Sequence, residues 1–230
     1  KDIMKTKLKI YLRFRGAACK KVVNQARKRS RWLYRILTHS ALNLVRPKPA
    51  HIVLCGPPRS GTTLLYNMLR HAASEGINVF SREIRAIDTT HIYSGDLITK
   101  RPLDLIDHEG VIKTLSRLRN VKFLILYRDP RDLVSSKHQS VPNQFFQSVD
   151  YQFFIKDQGR GKSYTNPGIY ACDQAMQRLQ QQYPDKCLFI SYEELLRAPE
   201  DIRHRIASWS GIALPGSFSS FHQDHIPQRL

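Results

Sequence analysis

The stretch His51–Leu65 reads His-Ile-Val-Leu-Cys-Gly-Pro-Pro-Arg-Ser-Gly-Thr-Thr-Leu-Leu, and it constrains this chain more than any other segment. An apolar run, a Gly/Pro turn and a helix opening on two threonines read as strand, tight loop and helix N-terminus in succession. Backbone N–H groups of such a loop converge on one spot, where the helix dipole also favours negative charge, so the segment is suited to holding a phosphate. The spacing Gly56-x4-Gly61 is that of a nucleoside triphosphate loop, but Thr62 stands where such a loop carries its phosphate-clamping lysine. A hydroxyl can bond a phosphate oxygen without neutralising it. The cation sits instead on the loop itself, at Arg59.

Two later segments repeat the pattern of a buried strand that ends in functional residues. In Val121–Ser136, Phe123-Leu124-Ile125-Leu126 is a continuous apolar run of the kind buried in a parallel sheet, and Arg128 stands where the strand emerges. Pro130 fits the first turn of a following helix. Ser136, eight residues after Arg128, is expected about two turns into that helix. An arginine capping a strand and a serine bonding back within a helix give the same local pattern. In Cys187–Leu196 another short apolar strand leads into a Tyr-Glu-x-Leu element, where Ser191 and Glu194 also spell a capping box and Tyr192 fits a plain core position as well.

These three segments, in this order, resemble the donor-binding elements of the sulfotransferases that use 3'-phosphoadenosine 5'-phosphosulfate (PAPS). The likeness covers roughly residues 50 to 210. It implies that Arg59, Ser60, Gly61, Thr62 and Thr63 surround the 5'-phosphosulfate, that Arg128 and Ser136 share the 3'-phosphate, and that Tyr192 lies near the adenine. Arg suits the 3' site because its planar fork binds phosphate bidentately and stays charged. The product would be adenosine 3',5'-bisphosphate, and no metal is required. Arg59 is implied at the leaving oxygen. Lys100, in Ile98-Thr99-Lys100-Arg101-Pro102-Leu103, falls where many sulfotransferases place a second catalytic lysine, with a surface cation at Lys100 or Arg101 as the alternative.

The general base is carried by the same likeness. The cytosolic small-molecule enzymes place a histidine two residues after that lysine, and Pro102 occupies the position here. The donor loop is closest to that of the tyrosylprotein sulfotransferases, whose base is a glutamate in a Glu-x-Arg setting. Glu83-Ile84-Arg85 resembles it, which makes Glu83 the expected base, with a surface Glu/Arg pair as the alternative. His91 and His108 have no local feature that brings them to the loop. Many relatives cover the 3'-phosphate with a basic C-terminal segment, whereas Ala213–Leu230 offers only Arg229 with His222 and His225. The acceptor is left open among tyrosyl protein, carbohydrate, lipid and small alcohol.

Composition bounds the rest. A chain of 230 residues with 41% hydrophobic content supports one sizeable core, and no run is apolar enough to cross a membrane. Strand and helix alternate from about residue 50, so the expected fold is α/β, P-loop-like and three-layered, with a central parallel sheet flanked by helices and its ligands at the carboxyl ends of the strands. The expected division is a basic, partly amphipathic extension over 1–48 and a catalytic domain over 49–230. Residues 1–46 hold fourteen Lys/Arg and one acid, Asp2, and so carry thirteen of the net +18 charges. Residues 31–45 line up Trp32, Leu33, Ile36, Leu37, Ala41 and Leu44 on one helical face, which suits either an anionic membrane surface or packing on the core with a solvated basic rim; nucleic acid is the less expected partner. The four cysteines (19, 55, 172, 187) show neither metal spacing nor a disulfide framework, and no glycosylation sequon occurs. This points to a reducing, cytoplasmic setting, with membrane association through the basic segment, or to the secretory lumen if an anchor has been removed ahead of Lys1.

Gln139–Tyr170 is rich in aromatic residues and is expected to form an acceptor-pocket wall, a lid or a helical satellite core. Two other functional classes share the pattern. A P-loop nucleotide kinase or NTPase would use Asp129 on magnesium. A non-catalytic protein of the same fold would bind polyanions or membranes through its basic N-terminal segment.

Overall fold

A computed structural model of the chain describes residues 47–90, 92, 94–136, 145–155 and 161–225. The fold set out below is that of Lys48–Leu230. The basic segment 1–46 with its expected helix over 31–45, His91, and Arg229 lie outside the described residues.

Five parallel strands form the central sheet: β1 (Ala50–Cys55), β2 (Asn78–Val79), β3 (Leu97–Lys100), β4 (Asn120–Tyr127) and β8 (Cys187–Ser191), in the order β2-β3-β1-β4-β8. β1 lies between β3 and β4, pairing Leu54 with Lys100 on one side and with Leu124 on the other. The neighbouring residues of β1 point to opposite faces, and both faces are buried. Ile52 and Leu54 join a core with α1 (Thr62–Ala72), α5 (Tyr192–Arg197), α6 (Pro199–Ser210) and α7 (Phe218–His225), through Leu65, Leu69, Leu195, Ile202 and Phe218. Val53 and Cys55 join a second core with α2 (His108–Leu115) and α4 (Ile169–Gln182), through Phe123, Leu115 and Leu179. Burial on both faces is why these strands read as unbroken apolar runs. Each large side chain so buried contributes about 1.5–3 kcal/mol.

The α/β architecture with a parallel sheet between helical layers is therefore as the sequence implies, and Leu65, Met68, Leu69 and Ala72 face inward on α1. β2 and β3 have no counterpart in that reading. Gln139–Tyr170 differs from it: its described part forms β5 (Phe145–Gln147), β6 (Tyr151–Ile155) and β7 (Gly161–Pro167), a separate antiparallel sheet, rather than a helical satellite core. Short aromatic-rich runs bounded by Gly and Pro favour extended backbone. α3 (Pro130–Ser135) begins at Pro130 as expected but is short. Among the described residues no helix is long and apolar enough to cross a membrane.

His51 is wholly buried in β1, its Nε2 2.9 Å from Thr99 Oγ1 and its Nδ1 without a partner. Burial, and then the charge of Arg119, lower its pKa from 6.5 to about 3. The unfolded chain takes up this proton near pH 6.5 and the folded chain only near 3, so the stability is complete above 6.5 and is lost as pH falls through that window. A plot of unfolding free energy against pH should carry this one-proton slope, at most about 1.4 kcal/mol per unit, and His51→Gln should remove it. An unchanged acid limb in the variant would show that His51 is not held neutral.

Candidate functional site

The candidate residues gather at the carboxyl edge of the sheet around the loop Gly56–Thr63. The loop leaves β1 by passing very close to β4: a Cβ on Gly56, whose φ is +150°, would lie 2.1 Å from the Leu126 carbonyl oxygen. Gly56 N also donates to Pro102 O at 3.3 Å. At the far end Gly61 caps α1 in the left-handed region, and Leu64 N and Leu65 N return to its carbonyl. Ser60 and Thr62 are buried, and Ser60 Oγ has no hydrogen-bond partner.

Three groups of side chains attach to this loop. The first is Arg59 with Ser136. Arg59 has φ +72°, and its guanidinium donates from Nε to Ser136 Oγ at 2.7 Å and from Nη2 to the Ser136 carbonyl. Partial burial lowers its pKa from the ordinary arginine value. Ser136 is not two turns inside a helix, as its spacing from Arg128 predicts. It is the C-cap of α3, with extended backbone, because the chain turns polar after Val134 and both Ser135 and Ser136 bond back to helix carbonyls.

The second group is Gly61, Tyr192 and Arg128. Tyr192, the first residue of α5 after β8, packs so tightly on the loop that a Cβ on Gly61 would lie 2.4 Å from its Cδ2. The Arg128 guanidinium lies 4.5 Å from the centroid of the same ring. Arg128 stands just past the end of β4, with one nitrogen 3.5 Å from Asp132, while its buried Nε has no partner. Ser191 caps α5 by accepting from Glu194 N at 3.0 Å, but the Glu194 carboxylate pairs with Arg205 at 2.5 Å, so only half of the capping box forms.

The third group is Thr63, Lys100 and Glu83. Lys100 ends β3 with its side chain only 6% exposed; it donates to Thr63 Oγ1 at 2.8 Å and forms an ion pair with Glu83 Oε1. Glu83 is half exposed on the segment before a short 3-10 helix, Ala86–Thr89. Lys100 is thus not a surface cation, and Glu83 pairs with Lys100 while Arg85 reaches Asp107 at 3.4 Å.

Every candidate is connected to the one loop, and the sequence reading had no signal for two of the connections. Nothing local reveals that Tyr192 wedges between Gly61 and Arg128, or that Lys100 reaches Thr63. His108 is buried on α2, with Nδ1 2.9 Å from the Leu105 carbonyl, on the turn before its own helix. Cys172 and Cys187 are pushed up to about 11 and about 12 by burial, and Cys55 is raised as well, so these thiols stay protonated. Asp129 caps α3 through Arg131 N and accepts from the Arg131 guanidinium, which together hold its carboxyl down to about 2. Among the described residues no group of three or more His, Cys, Asp or Glu is placed to hold a metal. Half-buried cations, hydroxyls and a helix N-terminus around one loop are chemically suited to an anion with more than one charged group.

A family model for the sulfotransferase domain matches residues 49–226. Among solved structures the chain is similar to mouse sulfotransferase SULT7A1 complexed with PAP, at 15% identity over 77% of this chain and 63% of that one, with a TM-score of 0.49. It thus spans less than two thirds of the mouse protein's length. It is also similar to the sulfotransferase domain from the curacin biosynthetic pathway (15% identity, 73% of this chain and 75% of that one, TM-score 0.46) and to sulfotransferase STF9 from Mycobacterium avium (12%, 86% and 73%, 0.47). No curated protein matches it in sequence.

The contact between Gly61 and Tyr192 makes a stability prediction. Gly61→Ala should lower the unfolding free energy by about 1–3 kcal/mol through overpacking and positive-φ strain, and Tyr192→Ala in the same chain should recover the overpacking part. Urea unfolding of the two single variants and the double variant measures this. Purely additive losses would show that the ring does not rest on the loop.

Proposed function

This chain belongs to the sulfotransferase domain family, and on that premise we propose that it moves a sulfuryl group from PAPS to a hydroxyl or amine of an acceptor by in-line transfer. One observation carries the reading: a single tight loop collects a cation from the ends of three adjacent strands, Arg59 after β1, Lys100 at β3 and Arg128 after β4. The residues present fit such a donor. Ser60 Oγ and Arg128 Nε are buried hydrogen-bonding atoms without partners, and phosphate oxygens would satisfy both.

In this reading Arg128 and Ser136 hold the 3'-phosphate, Tyr192 lies beside the adenine, and Ser60, Gly61, Thr62 and Thr63 hold the 5' side. When bound, PAPS supplies an activated sulfuryl group. Lys100 Nζ, already desolvated and fixed by Thr63, stabilises negative charge on the leaving side, and Arg59 supports it from the loop; a fixed cation of this kind is worth about 10²–10³ in rate. Glu83 accepts the acceptor's proton, a contribution of about 10²–10⁴. Its ion pair with Lys100 puts base and cation side by side, as one reaction centre requires. Asp129, the magnesium ligand of the kinase reading, is instead engaged by Arg131, and position 62 is threonine.

Thermal unfolding with adenosine 3',5'-bisphosphate, set beside ADP and ATP with magnesium, tests the donor. At a hundredfold excess over its Kd the bisphosphate should add about 2.7 kcal/mol, and Arg128→Ala should abolish the shift. Stabilisation by magnesium ATP with no bisphosphate effect would overturn the proposal in favour of the kinase reading.

A further inference from the structure

Glu83 sits on an exposed segment, yet that segment is pinned at three points. Upstream, Tyr66 Oη on α1 donates to Phe80 O at 2.9 Å and accepts from Phe80 N at 3.0 Å. Immediately after Glu83, Ile84 N donates to Lys100 O at 3.2 Å, which continues the pairing beyond the end of β3. Two residues on, Ala86 N donates not to a backbone carbonyl but to Asp104 Oδ2, at 2.8 Å. Asp104 is 1% exposed and belongs to the 3-10 turn Pro102–Leu105, which is itself tied to the loop: Arg101 N donates to Leu54 O at 3.1 Å and Gly56 N to Pro102 O at 3.3 Å. The second carboxylate oxygen lies 3.7 Å from Arg101 Nη1.

We infer that Asp104 is a positioning residue, whose carboxylate clamps the Glu83 segment to the Lys100 strand end and so sets where the Glu83 carboxylate stands relative to the loop. The inference rests on the reading of Glu83 and Lys100 as the reacting pair. The main-chain bond at Ile84 and the Tyr66 hydroxyl at Phe80 fix one side of the segment; the Asp104 bond fixes the other, at the first amide of the 3-10 helix, an amide the helix itself leaves unpaired. Burial raises the Asp104 carboxyl to about 6 against the opposing pull of the Ala86 N–H and of Arg101 and Arg85. Because the folded value lies above the ordinary 3.8, the group's contribution to stability is present below 3.8 and is lost as pH rises through 6. A buried carboxylate is therefore a poor choice for fold stability at neutral pH, and its specific product is the placement of the segment after Glu83.

The test compares Asp104→Leu with Asp104→Asn, which keeps an acceptor oxygen for Ala86 N–H, and carries Glu83→Gln alongside. Hydrogen exchange of the amides over 84–89 is read first, with thermal unfolding as the fold control. Asp104→Leu should speed exchange at Ala86 about tenfold or more, while the strand amides of β1 and β4 stay as they are and Asp104→Asn stays close to the parent. Turnover of PAPS with p-nitrophenol as the acceptor is read second. Asp104→Leu should lower kcat about 10²-fold with the KM for PAPS within about twofold, and Asp104→Asn should restore most of kcat. Unchanged exchange at Ala86 in the Leu variant overturns the clamp. So does unchanged kcat in that variant when Glu83→Gln is inactive. Full activity of Glu83→Gln instead condemns the assignment of the base, and no turnover by the parent excludes p-nitrophenol as an acceptor; in both cases exchange still decides the clamp. If Asp104→Leu fails to fold, Asp104→Ala takes its place: unchanged exchange at Ala86 there overturns the inference.

Discussion

The contact between Gly56 and the Leu126 carbonyl governs everything built at this edge of the sheet. With the carbonyl oxygen only 2.1 Å from where a Cβ would stand, the chain leaving β1 lies directly over the end of β4, a path closed to any residue with a side chain. That path brings Arg59 within reach of Ser136 beyond α3, and it turns Gly61 under the Tyr192 ring beyond β8. Because β1 is hydrogen-bonded to β3 on its other side, the same loop also passes Lys100. A loop following the central strand of a parallel sheet is the one place from which three neighbouring strand ends can be touched at once.

Electrostatics give the arrangement its chemical character. Lys100 is nearly buried, and a buried cation is costly unless it is paired. Here its compensation is one hydroxyl and one half-exposed carboxylate. Arg128 is compensated by a π face and a carboxylate at 3.5 Å, and Arg59 by a serine. None of the three is engaged in a bidentate pair with a buried acid, the arrangement that would make it purely structural. By contrast Arg203 is held on several sides, donating from Nε to Glu200 at 2.6 Å and from Nη1 to the Leu214 carbonyl at 2.7 Å, while Glu200 also accepts from Ser217 Oγ and Ser219 N; these bonds outweigh the rise from burial and hold the Glu200 carboxyl down to about 2. The loop cations keep donors in reserve that the Arg203 pair does not.

What was legible in the sequence follows the range of the interactions involved. β1 and β4 are continuous apolar runs because both of their faces are buried, and the edge strand β8 is half-buried around Ile190, so composition alone locates them. Pro130 and Asp129 mark the start of α3 by local backbone chemistry, but the end of α3 depends on competing serine bonds, and spacing alone misplaced Ser136 inside the helix. β2 is two residues long and β3 four, too short for a periodic signal, although β3 delivers Lys100. Arg59, Lys100, Arg128 and Glu83 entered as candidates through likeness of motif. Asp104 was not, since its partner Ala86 is eighteen residues away and a buried carboxylate is, on residue type alone, an unexpected neighbour for an amide. For the aromatic stretch after Gln139 a helical satellite core stood beside a pocket wall or lid, and the antiparallel sheet was not read, because aromatic density tells of burial and not of backbone period.

Arg59 joins the local constraint to the chemical one. It is the one described residue other than glycine with positive φ, at +72°, a conformation that costs an L-residue about 1–2 kcal/mol. The cost is met by a geometry that a lysine cannot reproduce: Nε and Nη2 of one planar group donate in parallel to the side chain and the carbonyl of Ser136. A lysine ammonium at the same Cα could reach one of these acceptors but has no second donor fixed in the same plane. The guanidinium still holds further N–H groups directed away from Ser136, so it can remain on the serine and bond an anion at the loop together. The choice of cation at position 59 and its unusual backbone are therefore one feature: the left-handed residue aims the fork across the gap between the loop and the end of α3, and the fork closes that gap without exhausting its donors.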